Sequence, residues 1–151
     1  MLLFVTVFLF YSCKEKRAVE INIIPAPVSV TSGNDWITWG KMISLVATTD
    51  EEKNVAALLQ QFLATKGIQA KWVDSKTSDD QQVIFSVRQD TSLHKEGYEL
   101  VIDNTGVHLS ANTGAGLFYG VQSLFQLLAT ANETIQLPFA RIIDQPRFAW
   151  R

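Results

Sequence analysis

The chain has 151 residues, 47% of them hydrophobic and 19% charged, with a formal net charge of −2. That length supports one domain with a real core, and that balance excludes a disordered chain. The small negative charge, with the 13 cations scattered apart from one N-terminal cluster, excludes an electrostatic nucleic-acid binder.

Leu2 to Tyr11 is apolar or aromatic apart from Thr6. It is too short to span a bilayer, which needs roughly 20 residues. It suits the apolar core of an export signal. Cys13 is the only cysteine and follows directly on Ser12. A lone cysteine in an exported chain has no internal disulfide partner, so it needs another role. The arrangement resembles a bacterial lipoprotein signal, with Cys13 as the acylated mature N-terminus. It departs from that pattern in lacking a Lys or Arg before the run and in the bulk of Phe10-Tyr11. An ordinary cleaved signal with an incidental cysteine is the plainer reading. Residues 1–19 are thus expected to be signal and tether, with Lys14, Lys16 and Arg17 able to lie against anionic headgroups. The expected location is periplasmic or outer-membrane-anchored, and membrane contact is through that anchor alone.

From Ile21 to Val30, Pro25 and Pro27 exclude a helix and favour an extended edge segment. Ser32-Gly33-Asn34-Asp35 has turn chemistry. Trp36 to Trp39 predicts a short strand, and Met42 to Thr48 another. Thr49-Asp50-Glu51-Glu52 matches a capping box, with Glu52 reaching back to the Thr49 backbone. Val55, Leu58, Leu59 and Phe62 then give a helical apolar stripe that Gly67 ends. Ile68 to Val73 is a strand with imperfect alternation, and 75–80 a polar loop. Val83 to Arg88, Tyr98 to Ile102 and Val107 to Ser110 predict strands. The last two form a hairpin turned by Asp103-Asn104-Thr105-Gly106. Leu117, Phe118, Val121, Leu124, Phe125 and Leu128 define a second helix with one wide apolar face. Thr134 to Ile143 is a final extended stretch. The sum is an α+β fold, a mixed or antiparallel sheet with two helices packed on one face.

Four patterns carry chemical potential. Gly114-Ala115-Gly116-Leu117-Phe118-Tyr119-Gly120 opens a helix after a strand, as a phosphate loop would. Its third glycine falls one residue late for that motif, and the acid at a comparable distance, Glu133, stands in a polar loop. Tight helix–sheet packing explains the small residues better. His94 and His108 are far apart and no metal-binding helix motif accompanies them, so neither metal nor cofactor is expected. Asp50-Glu51 and Asp79-Asp80 suit solvated capping and turn roles rather than a pair of glycosidase acids. Arg147, Phe148, Trp150 and Arg151 combine guanidinium groups with aromatics, the residue types enriched at buried interfaces. They are expected to anchor residues 144–151 against a following domain.

Three segments together carry a family resemblance: Ile23-Ile24-Pro25-Ala26-Pro27, Ala111 to Leu124, and Asp144-Gln145-Pro146-Arg147-Phe148-Ala149-Trp150-Arg151. In that order and spacing, residues from about 20 onward resemble the N-terminal accessory domain of family 20 glycoside hydrolases, the β-N-acetylhexosaminidases. The resemblance implies a zincin-like domain without its zinc, spanning 20–143, beside a (β/α)8 barrel that this chain lacks. In the family the substrate's acetamido oxygen attacks the anomeric carbon, aided by an Asp-Glu pair on the barrel. That pair's His-x-Gly-Gly-Asp-Glu setting is absent around Asp50-Glu51, and the sugar-binding Asp-x-Ser-Arg-His segment is missing. No catalytic, cofactor or metal residue carries over. The implied function is support of an exported enzyme that removes terminal β-linked N-acetylhexosamines, with its own barrel as partner. The alternative is a surface lipoprotein that binds glycans or proteins, with Trp36, Trp39 or Trp72 exposed for stacking.

Overall fold

The computed structural model describes residues 20–76, 81–129 and 135–147. The chain order is β1 (Ser29–Trp39), β2 (Met42–Val46), α1 (Asp50–Thr65), β3 (Gln69–Val73), β4 (Gln82–Val87), β5 (Tyr98–Asp103), β6 (Gly106–Ala111), α2 (Gly114–Ala129) and β7 (Ile135–Asp144). The strands form one mixed sheet in the order β1-β7-β5-β6-β4-β2-β3. The β3-β2-β4-β6 side is parallel and the β6-β5-β7-β1 side antiparallel.

Alternation explains the layers. Along β4, β5 and β6, Val83, Phe85, Tyr98, Leu100, Ile102, Val107, Leu109 and Ala111 are buried, and the residues between them are more open. A period of two puts the buried set on one face. That face carries both helices, which also meet each other through the stacked rings of Phe62 and Phe125, 4.3 Å apart. The Tyr98 hydroxyl enters this layer and is satisfied by Ser123 Oγ at 2.5 Å.

α1 begins as its sequence dictates. Thr49 Oγ1 accepts the Glu52 amide and Glu52 Oε2 accepts the Thr49 amide. Gly67 follows the helix with φ +73°, a conformation that glycine adopts without strain. α2 lies closer to the sheet than a side chain would allow. A Cβ on Gly116 would collide with the Gly97 carbonyl oxygen and approach Ala111 Cβ to 2.8 Å, and one on Gly120 would strike Leu109.

Three expectations need adjustment. Ser32 to Asp35 is not a turn between strands; it is an irregularity inside one long strand, where the register against β7 shifts between Ser32 and Trp36. The residues from Ile21 to Val28 stay outside the sheet, which starts at Ser29, because Pro25 and Pro27 cannot donate to a ladder. Phe118, placed on the apolar face of α2 by periodicity, is 40% exposed. The buried face is narrower than predicted because Gly116 and Gly120, rather than large side chains, make the closest approach.

Candidate functional site

The residues expected to anchor a neighbouring domain are only partly within view. Phe148, Trp150 and Arg151 lie outside the described residues, as does Cys13. Arg147 is described and exposed, and its Nη2 donates to the Ala26 carbonyl at 3.2 Å. The Gln145 side chain accepts the His94 amide. Gln126 of α2 brackets the backbone of Ile24, accepting its amide at 2.8 Å and donating to its carbonyl at 3.0 Å. The proline segment, the C-terminal end of β7 and α2 are thereby tied into one corner. That corner carries Ile24 at 82% exposure and Val28 at 50%.

The glycine loop at the start of α2 has no room for a phosphate role. Its first amide, on Gly114, already donates to Glu51 Oε1, and the Gly116 amide donates to Thr113 Oγ1. Glu51 therefore supplies the anion that the positive end of a helix attracts. A solvated role for Asp50-Glu51 holds for Asp50, but Glu51 is engaged across the domain. Sequence spacing could not reveal this, because 63 residues separate the partners.

Glu52 is a buried acid, at 4% exposure. Oε2 accepts the Thr48 amide, the Thr48 hydroxyl and the Thr49 amide, and Oε1 accepts the Val87 amide at 2.7 Å. Burial alone would raise its pKa, but the three amides and the hydroxyl outweigh that and hold it below 4.5. The capping box identified Glu52 correctly; its bond to Val87 is an addition that only the fold supplies.

The sheet face without helices is a charged trough of about 340 Å³. Glu99 sits in it between two guanidinium groups, 2.7 Å from Arg88 Nη2 and 2.6 Å from Arg141 Nε. His108 Nε2 lies 2.8 Å from Thr105 Oγ1 and 3.7 Å from Asp103 Oδ1. Burial lowers the His108 pKa, Asp103 opposes this in part and Lys76 adds to the lowering. These groups satisfy one another: the Thr105 hydroxyl beside His108 already donates its proton to Asp103 Oδ1 at 2.6 Å, so the imidazole does not activate it as a nucleophile. Among the described residues no three His, Cys, Asp or Glu side chains converge as a metal site would require. Asp79 and Asp80 lie outside the described residues.

The three candidate stacking residues separate. Trp39 is buried at 3%, whereas Trp36 and Trp72 are 47% and 43% exposed. Trp39 is therefore core rather than platform.

The sequence profile of glycosyl hydrolase family 20, domain 2, matches residues 20–145. A β-hexosaminidase of Porphyromonas gingivalis is 30% identical over 87% of this chain and 18% of its own length. A β-N-acetylhexosaminidase of Cellulomonas fimi is 25% identical over 87% of this chain and 27% of its own length. The chain thus spans less than a third of these curated relatives. Among solved structures, the N-acetyl-β-hexosaminidase of Streptomyces plicatus superposes with a TM-score of 0.75 at 27% identity, over 89% of this chain and 28% of that one. The family 20 β-N-acetylhexosaminidase of Streptomyces coelicolor gives 0.74 at 27% identity, over 85% and 27%.

Proposed function

This chain belongs to glycosyl hydrolase family 20, as its domain 2, and we propose that it is the support domain of a β-N-acetylhexosaminidase whose chemistry resides on a separate catalytic barrel. The described residues build one sheet and two helices, with no such barrel. The observation that carries the reading is the corner at Arg147. Its contact with Ala26 places the end of the sheet beside exposed Ile24 and Val28. Apolar surface flanked by arginine is the composition of a surface that a neighbouring domain covers. Arg147, Phe148, Trp150 and Arg151 are the anchors of that interface. The reaction assigned to the joined protein is hydrolysis of terminal, non-reducing β-linked N-acetylhexosamines.

The reading is tested by hydrolysis of a chromogenic N-acetyl-β-glucosaminide. Protein in which this domain precedes a family 20 barrel turns the substrate over, and this chain alone does not. Turnover by the purified chain overturns it.

Export and anchoring belong to the same proposal. The apolar run from Leu2 to Tyr11 and the single cysteine at Cys13 support acylation at that residue. Cys13→Ser then moves the protein from the membrane fraction to the soluble periplasmic fraction. An unchanged distribution removes the anchor and leaves a plain signal.

A second reading, a surface lipoprotein that binds glycans or a protein partner, is favoured by one observation, the exposure of Trp36 and Trp72.

A further inference from the structure

Trp36 stands where β1 resumes its pairing after the irregularity, directly opposite Pro138 of β7. Cross-strand partners in this position share a face, so the proline ring flanks the indole. Together with Ile21 they line a concavity of about 230 Å³, whose polar groups include the Asn22 and Gln136 amides and the Glu20 carboxylate. Gln126 also borders it, but its amide is spent on the Ile24 backbone. The side chains of Asn22, Gln136 and Glu20 make no hydrogen bond among the described residues.

These parts select a ligand. An exposed indole is a flat apolar platform with its polar edge still available. Each primary amide offers both donors and an acceptor, the complement of vicinal hydroxyls. Among the described residues the one charged group is an acid and no cation borders the concavity, so an anion finds no counter-charge there. Its size lies below the roughly 300–1,000 Å³ of sites for drug-sized molecules, which suits a single ring. We propose that the Trp36 concavity is a subsite for one neutral pyranose ring of a glycan, stacked on the indole and hydrogen-bonded by Gln136, Asn22 and Glu20. Its role as an auxiliary hold on a hexosaminidase substrate rests on the function proposed above, but the binding itself rests on the pocket alone.

Titration of the chain with N-acetylglucosamine, its β-linked disaccharide and glucose 6-phosphate, read by indole fluorescence and by saturation transfer to the sugar protons, tests the site. The expected result is saturable millimolar binding of the neutral sugars and at least tenfold weaker binding of the phosphate ester. Trp36→Ala abolishes binding, Gln136→Ala weakens it at least fivefold, and Trp72→Ala leaves it unchanged. Gln136 is exposed on its strand, so its variant keeps the test valid should loss of Trp36 disturb the fold. Absence of saturable binding, equal binding of the phosphate ester, or unaltered affinity in Trp36→Ala or Gln136→Ala overturns the proposal. Failure here leaves the hydrolysis test untouched, and failure of hydrolysis leaves this one standing.

Discussion

Glu52 Oε1 accepts the backbone amide of Val87 at 2.7 Å, so the third residue of α1 holds the last residue of β4 in place. One carboxylate thereby caps a helix and fixes the sheet beneath it. Glu52→Ala would leave the amides of Thr48, Thr49 and Val87 without their acceptor. A stranded polar group costs about 1–3 kcal/mol, and a lost cap about 1 kcal/mol. The expected loss is about 3 kcal/mol in urea unfolding, with Glu52→Gln losing about half as much because one oxygen remains. A loss under about 0.5 kcal/mol for Glu52→Ala, the range of an ordinary surface change, would show that the bond contributes nothing.

The same carboxylate contributes to the acid limit, alongside Asp103, whose pKa is also lowered. The folded pKa of Glu52 lies below 4.5, so its contribution is fully present above that pH and is lost as pH falls through the folded value. His108 acts at higher pH. Burial lowers its folded pKa below 6.5, so the unfolded chain takes up the proton first, and stability declines as pH drops below 6.5. Melting temperature should therefore fall in two steps, one below pH 6.5 and one below pH 4.5. His108→Asn should remove the upper step and Glu52→Gln should shrink the lower. A flat profile from pH 7 to pH 4 would contradict both assignments.

Two glycines of α2 should respond differently to the same substitution. At Gly116 an added methyl meets the Gly97 carbonyl, backbone that cannot rotate away. At Gly114 it meets the end of the Glu51 side chain, which can. Gly116→Ala should lose about 3 kcal/mol, the upper range for overpacking, and Gly114→Ala about 1 kcal/mol or less. Equal losses in thermal melts would mean that helix and sheet are not as closely apposed as described.

On the open face, Glu99 bridges Arg88 and Arg141, whose side chains are 51% and 61% exposed. Exposed pairs contribute roughly 0–1 kcal/mol each. Glu99→Gln should therefore lower stability by about 1 kcal/mol at low salt, and the difference should vanish near 1 M salt. A salt-independent loss would point to packing instead of charge.

Much of this was legible in the residues because the signals were local. The Thr49–Glu52 capping box, the Asp103–Gly106 turn and the period of α2 each lie within a few neighbouring positions. The family resemblance rested on three such segments, and the match over residues 20–145 agrees with it. What stayed hidden depended on distant pairing. The Glu51–Gly114 and Glu52–Val87 bonds join residues 63 and 35 positions apart. Ser32 to Asp35 has the composition of a turn, and β7 opposite it keeps the strand continuous. Phe118 looked buried because periodicity assigns a face without knowing how closely the glycines bring the helix to its sheet. Trp36, Trp39 and Trp72 were alike by type and spacing, and only the fold separates them.

The function proposed above places a catalytic barrel over the corner that holds Ile24, Ala26 and Arg147. Ile24→Asp, measured by thermal unfolding both in this chain alone and in a protein that joins it to a family 20 barrel, decides whether one sits there. Ile24 is 82% exposed here, so the isolated chain should melt within about 1 °C of its parent, as a substitution away from packed features does. The joined protein should lose several degrees and separate its two transitions, because an acid placed in an interface is left without water or partner. An unchanged melt in the joined protein would show that no barrel covers this corner.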